Sequence, residues 1–204
     1  MNKTKIEWTD YTWNPVVGCK NGCWYCYAKR MNDRFKWIPK WDEPKFFPER
    51  LNDKMPKKPS KIFVGSMCDL FGDWIPSEWI IKVIEVIENN PKHKFQFLTK
   101  NPKRYLEFNF PENCWLGITI TKDNDYAGGS QKAIDILSQV PNYRFISFEP
   151  LLGDAGRLDL SHMYLIILGA MTGQGAILPK REWIKSIKHM NIFYKNNIKK
   201  FLTP

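Results

Sequence analysis

Five short runs between residues 61 and 169 are apolar almost without a break: Lys61-Ile62-Phe63-Val64-Gly65, Phe95–Thr99, Trp115–Ile120, Tyr143–Phe148 and Tyr164–Gly169. They do not alternate polar and apolar, so both of their faces must be covered, as happens in parallel sheets flanked by helices. Helix-like segments separate them. Ser77 is placed to cap a helix with Trp79, Ile80, Val83, Ile84 and Ile87 on one face. A short helix is expected after Pro102, another over 131–139 with Ile134 and Leu137 inward, and one from about Arg181 to Lys188 before a strand at Ile192-Phe193-Tyr194. Strand–helix–strand units of this kind cross over right-handed. With one more strand before Cys19, the count reaches six or seven, short of a closed eightfold barrel. The expected architecture is an α/β fold: a partial, open (β/α) barrel of about six parallel strands. A doubly wound sheet remains the alternative, because chain order does not say which strands are neighbours.

A chain of 204 residues with 43% hydrophobic residues can bury one sizeable core. A single domain over 1–204 is expected, with an insertion rich in Pro, Lys and aromatics at about 37–59. No run of eighteen apolar residues exists, and the N-terminus lacks an apolar signal core, so a cytoplasmic protein without a membrane partner is expected. The net charge is +10. It concentrates in residues 29–58, with ten Lys/Arg against five Asp/Glu, and 180–200, with seven against one. Two basic patches, the first interleaved with Trp37, Trp41, Phe46 and Phe47, point to nucleic acid as a candidate partner. A merely solvated basic surface is the alternative.

Three of the five cysteines crowd into one loop, Gly18-Cys19-Lys20-Asn21-Gly22-Cys23-Trp24-Tyr25-Cys26, with C-x3-C-x2-C spacing ahead of a helix expected to start near Cys23 or Trp24. An odd count clustered this way makes a poor disulfide framework and a good metal site. Three thiolates can hold three irons of a cubane and leave the fourth open. Structural zinc prefers four ligands in paired half-sites. Here Cys68, Cys114, His93, His162 and His189 all stand apart. A zinc- or cluster-bearing nucleic-acid-binding module without catalysis is the non-enzymatic alternative.

The C-x3-C-x-aromatic-C loop resembles the signature of the radical S-adenosylmethionine (SAM) superfamily. The wider stretches Lys5-Ile6-Glu7-Trp8-Thr9-Asp10, Thr12-Trp13-Asn14-Pro15, Phe63–Phe71, Phe97–Pro102, Phe148–Gly153 and Gly169–Ala176 are similar to a phage- and prophage-associated radical SAM family of unassigned function. Ala170-Met171 departs from the Gly-Glu expected there. Locally, the cluster loop also resembles that of spore photoproduct lyase. The resemblance implies a [4Fe–4S] cluster on Cys19, Cys23 and Cys26. It implies S-adenosyl-L-methionine on the open iron, cleaved reductively to a 5′-deoxyadenosyl radical, and a flavodoxin- or ferredoxin-type electron donor.

Further roles are implied at the strands' C-terminal ends, where barrel enzymes build their sites. Gly65, Ser66 and Asp69 would receive the methionine amino group, although Asp69 would serve equally as a turn cap. Tyr25 would lie near the adenine. Thr99 and Lys100, with Thr119 and Thr121, end strands and would offer groups to ribose or carboxylate. Ser147 belongs to the same cofactor-binding set. Glu149, an acid before Pro150, is a candidate catalytic group with a salt bridge as its rival role. Gly169, with Gly173 and Gly175, would let the cofactor approach the backbone. Cys68 is a candidate hydrogen-atom donor, or else a small buried hydrophobe. Cys114, expected just before its strand, is read as inert.

Overall fold

The computed structural model describes residues 1–202. Apolar runs too short and too continuous for amphipathic helices have become strands. The result is an α/β fold with a mostly parallel, open sheet of eight strands among the described residues. Two compact units divide the chain, Met1–Trp115 and a second beginning at Leu116.

The first unit opens with β1 (Asn2–Lys3) antiparallel to β2 (Tyr11–Trp13), Asn2 opposite Thr12. After β3 (Val16–Val17) come the cysteine loop, α1 (Tyr27–Phe35) and β4 (Lys45–Phe46), which pairs antiparallel with β3. A 3-10 turn at Pro48–Asn52 leads to β5 (Lys61–Val64), α2 (Ser77–Glu88) and β6 (Lys94–Thr99). β5 lies parallel between β2 and β6, with Phe63 aligned to both Thr12 and Gln96. Ile62, Phe63 and Val64, and likewise Phe95, Gln96 and Phe97, are all buried, so both faces are covered as the unbroken apolar pattern requires. α2 turns Ile80, Val83, Ile84 and Ile87 inward at helical spacing. β7 (Cys114–Thr119) spans the boundary between the units.

The second unit carries α3 (Ser130–Leu137), β8 (Tyr143–Phe148), β9 (Leu165–Leu168), α4 (Arg181–Ser186), β10 (Ile192–Tyr194) and α5 (Asn196–Lys199). β8, β9 and β10 are parallel neighbours, with Ile166 aligned to Ile146 and Ile192.

Several expectations shift. Among the described residues the main sheet has eight strands against the expected six or seven: β2 is the strand anticipated before Cys19, and the added one is β1, two polar residues antiparallel to it and too short to show as an apolar run. α1 starts at Tyr27, not near Cys23, because the Cys26 thiol takes the cap by accepting from Lys29 N at 3.3 Å. Ser77 opens α2 without capping it. Pro76 is the cap residue, and the Ser77 hydroxyl accepts from Arg104 Nη2 instead. The helix after Pro102 is a 3-10 helix, Pro102–Glu107. Cys114 begins β7 and is fully buried. The 37–59 stretch is packed in: Trp41 and Phe47 lie against a core of Val17, Ala28, Ile38 and Met67, and Phe46 stacks on Trp79.

Candidate functional site

The cysteine loop is held at its start by backbone. Gly18 N donates to Met67 O and Cys19 N to Trp41 O, at 3.0 and 2.9 Å. Gly18 has φ +108°, and a Cβ there would sit 2.8 Å from Pro44 Cα and 2.9 Å from Trp41 O. Only glycine lets the loop pass so close to the 41–44 backbone. Cys23 and Cys26 close a turn, Cys26 N to Cys23 O at 3.1 Å, and Cys26 then caps α1. The Lys29 N–H at this helix N-terminus favours the Cys26 thiolate, against the larger opposing effect of burial. All three thiols are free and partly exposed.

Burial pushes the Cys19 thiol up to about 12. Backbone N–H groups of Asn21 and Asp69 oppose the rise, and the charges of Asp69 and Cys26 add to it. Burial also raises Cys26, and pushes Cys68 well up. A bound cation inverts this logic, since coordinated thiols are deprotonated outright.

Asp69 joins that loop to the strand ends. Its buried carboxylate accepts four hydrogen bonds: Oδ1 from Thr99 Oγ1 at 2.7 Å and Phe71 N at 3.2 Å, Oδ2 from Asn21 Nδ2 and Lys100 N, both at 2.9 Å. It caps a turn through Phe71 and simultaneously ties the cluster loop to the end of β6. The Thr99 oxygen also accepts from Asn101 N. In this structure Thr99 and Asp69 fix the loop's position. The Lys100 ammonium lies 5.9 Å from the Tyr25 ring centroid.

The Gly65 turn is supported by Asn14, whose Oδ1 accepts from Ser66 Oγ and Met67 N at 3.1 and 3.0 Å. Tyr27 donates to Ser66 O at 2.6 Å, linking α1 to the same turn. Gly65 sits at φ +77°, 3.2 Å from Cys68 Sγ by its virtual Cβ. Sequence reasoning named Gly65, Ser66 and Asp69 but missed Asn14, Asn21 and Tyr27. Their one visible signal was position, beside Pro15, inside the cysteine spacing and next to Cys26.

The remaining candidates belong to the second unit. Glu149 forms an ion pair with Lys195, so the salt-bridge role is the one seen. A Cβ on Gly169 would lie 3.0 Å from Glu149 Cγ and 3.1 Å from Lys195 Cδ, so this glycine leaves space for the pair. Ser147 is 1% exposed, and its hydroxyl has no hydrogen-bond partner among the described residues. Thr121 Oγ1 donates to Asp125 at 2.7 Å, and Thr119 O accepts from Tyr126.

The donor set suits an iron–sulfur cluster: three thiols on one loop, entered through Gly18 where only glycine fits against the 41–44 backbone, with the N-terminus of α1 behind Cys26. Among the described residues, no three His, Cys, Asp or Glu side chains are gathered closely enough to hold a metal ion, so the fit lies in chemistry and loop shape. Among these residues, too, no helix is long and apolar enough to cross a membrane.

A family described as "Protein of unknown function (DUF5131)" matches residues 3–197. An uncharacterized protein of Methanocaldococcus jannaschii is 29% identical over 176 residues, 76% of this chain and 65% of the relative. In three dimensions the chain is similar to spore photoproduct lyase with bound AdoMet and dinucleoside spore photoproduct, at TM-score 0.62 and 13% identity, over 91% of this chain and 62% of that one. A second structure, of that lyase complexed with dinucleoside spore photoproduct, gives TM-score 0.59, 14% identity, and coverage of 82% and 57%. At such identity the likeness is one of fold. The chain spans less than two thirds of the length of each of these relatives.

Proposed function

We propose that this chain, which belongs to the family described as "Protein of unknown function (DUF5131)", is a radical SAM enzyme built on a partial (β/α) barrel. One observation carries the reading: three free thiols share a C-x3-C-x2-C loop that enters through Gly18 and ends in the cap of α1. The solved structures of similar fold, one with bound AdoMet, support it. Cys19, Cys23 and Cys26 would hold a [4Fe–4S] cluster. With S-adenosylmethionine, such a cluster supplies one-electron reductive cleavage to methionine and a 5′-deoxyadenosyl radical.

The protein's own part is placement. Asp69 holds the loop through Asn21, with Thr99 and the Lys100 N–H holding Asp69 in turn. Asn14 keeps the Gly65–Met67 turn in shape, and Tyr27 fastens α1 to it. Tyr25, Gly65 and Ser66 would meet the cofactor. Within the first unit, Cys68 is the proposed group nearest substrate chemistry. A flavodoxin- or ferredoxin-type protein would supply the electron. The basic segments 29–58 and 180–200 would meet a nucleic-acid substrate in the cytoplasm.

Anaerobic reconstitution tests the reading. About four irons per chain with matching sulfide are expected, together with 5′-deoxyadenosine release from SAM under dithionite. Replacing Cys19, Cys23 or Cys26 with Ala should remove the cluster, while Cys114→Ser should keep it. Zinc bound without sulfide would replace this reading with the non-catalytic module.

A further inference from the structure

The first basic segment contains more than charge. Trp24, Tyr27, Met31, Phe35 and Trp37 are large apolar side chains between 39% and 62% exposed, five in fourteen residues. Three of them, Tyr27, Met31 and Phe35, recur every four residues along α1 and share one flank. At 100° per residue this flank lies beside the buried stripe of Ala28 and Asn32, with Arg30 and Arg34 on its solvent side. Phe35 stacks on Trp37 with centroids 5.3 Å apart, and the Arg34 guanidinium lies 5.2 Å from the Phe35 centroid. The aromatics first picked out beside Trp37 are engaged elsewhere, since Trp41 and Phe47 pack on the core and Phe46 on Trp79.

This flank also walls a cavity of about 520 Å³. Tyr27, Met31 and Trp37 line it, with Lys3, Lys5 and Arg50 also in its lining. The volume lies within the ~300–1,000 Å³ of small-molecule sites. Ser66 and Met67 also line it, and Tyr27 is hydrogen-bonded to Ser66 O, so the cavity adjoins the turn proposed to meet the cofactor.

We infer that α1 and the 35–37 turn form a stacking ledge for unpaired nucleotides, with the cavity receiving one nucleobase. Aromatic faces flanked by cations are what single strands require: bases stack on the rings, and phosphates meet the guanidinium and ammonium groups. A flat protein partner would not need the cavity, and a duplex would keep its bases out of it. The inference rests on the enzyme reading for its meaning, as it names the substrate class. It does not depend on that reading for its test.

Full-length protein, without SAM or reductant, is titrated with a fluorescent mixed-sequence single strand and the matching duplex, in 50 and 200 mM salt. The single strand should bind more tightly than the duplex, and its affinity should fall about tenfold or more across that salt range. Trp37→Ala and Phe35→Ala should each weaken binding by about tenfold. Arg34→Glu should weaken it alike for every sequence and flatten the salt dependence. Ile81→Ala, which trims an exposed apolar side chain on α2, should leave binding unchanged. Thermal melts of the four variants confirm that binding is compared between folded proteins. Equal affinity for both strand states, or binding that survives the Trp37 and Arg34 changes, overturns the ledge. So does capture of an acidic flavodoxin by this face with no affinity for oligonucleotides, which would assign it to the electron donor. SAM cleavage by the same preparation stands or falls separately.

Discussion

Replacing Asp69 should damage both the fold and the cysteine loop, and the two effects can be separated. Asp69 is 6% exposed, and its carboxylate accepts from Thr99 Oγ1, Phe71 N, Asn21 Nδ2 and Lys100 N. A hydrogen bond to a charged group is worth about 1.5–3 kcal/mol, but four bonds on one carboxylate do not add. Asp69→Ala leaves the donors unpaired, including the buried Thr99 hydroxyl, and should cost about 3–4 kcal/mol. Asp69→Asn keeps one acceptor oxygen and sets its NH2 against the Lys100 N–H, so about half that loss is expected. Asn21→Ala is different: Asn21 is exposed and its side-chain amide donates to Asp69. That change should cost under about 1 kcal/mol while speeding hydrogen exchange at residues 19–23 and lowering iron retention. Urea melts give the stabilities, and exchange by mass spectrometry gives the loop. Asp69→Ala with a loss below about 1 kcal/mol, or Asn21→Ala with unchanged exchange, would refute the clamp.

Gly18→Ala should destabilise by about 3 kcal/mol and prevent cluster loading, because its Cβ meets Pro44 and Trp41 backbone at a φ of +108°; a variant with wild-type melting and iron content contradicts this. Gly169→Ala should cost about 1–3 kcal/mol by pushing into the Glu149–Lys195 pair, measured by thermal unfolding with Lys195→Met as a companion. His93 is buried, and its ring nitrogens lack hydrogen-bond partners among the described residues. Desolvation, aided by Lys92, holds its pKa below the ordinary 6.5. The folded state thus binds fewer protons, so stability is full above pH 6.5 and is lost as pH falls from there toward the folded-state pKa. His93→Phe should flatten that slope between pH 7.5 and 5.5, and an unchanged slope would exclude His93 as its source.

The parallel strands were legible in the sequence because coverage on both faces leaves an unbroken apolar run, visible within five residues at Ile62–Val64 and Phe95–Thr99. α2 was legible because Ile80, Val83, Ile84 and Ile87 repeat at the helical period. The cysteine loop was legible because its ligand chemistry and glycines lie within nine residues. The sequence could place Asp69 and Thr99 at strand ends, but not show that they bond each other across thirty residues and reach Asn21 across forty-eight. It named Glu149 but not Lys195, forty-six residues away. It ranked Trp37, Trp41, Phe46 and Phe47 alike, and only packing separated the exposed ring from the three that are engaged. Backbone periodicity is a local property and survives in one dimension. Which side chains share a carboxylate, and which ring remains in solvent, depends on contacts between distant segments, and those exist only once the chain has folded.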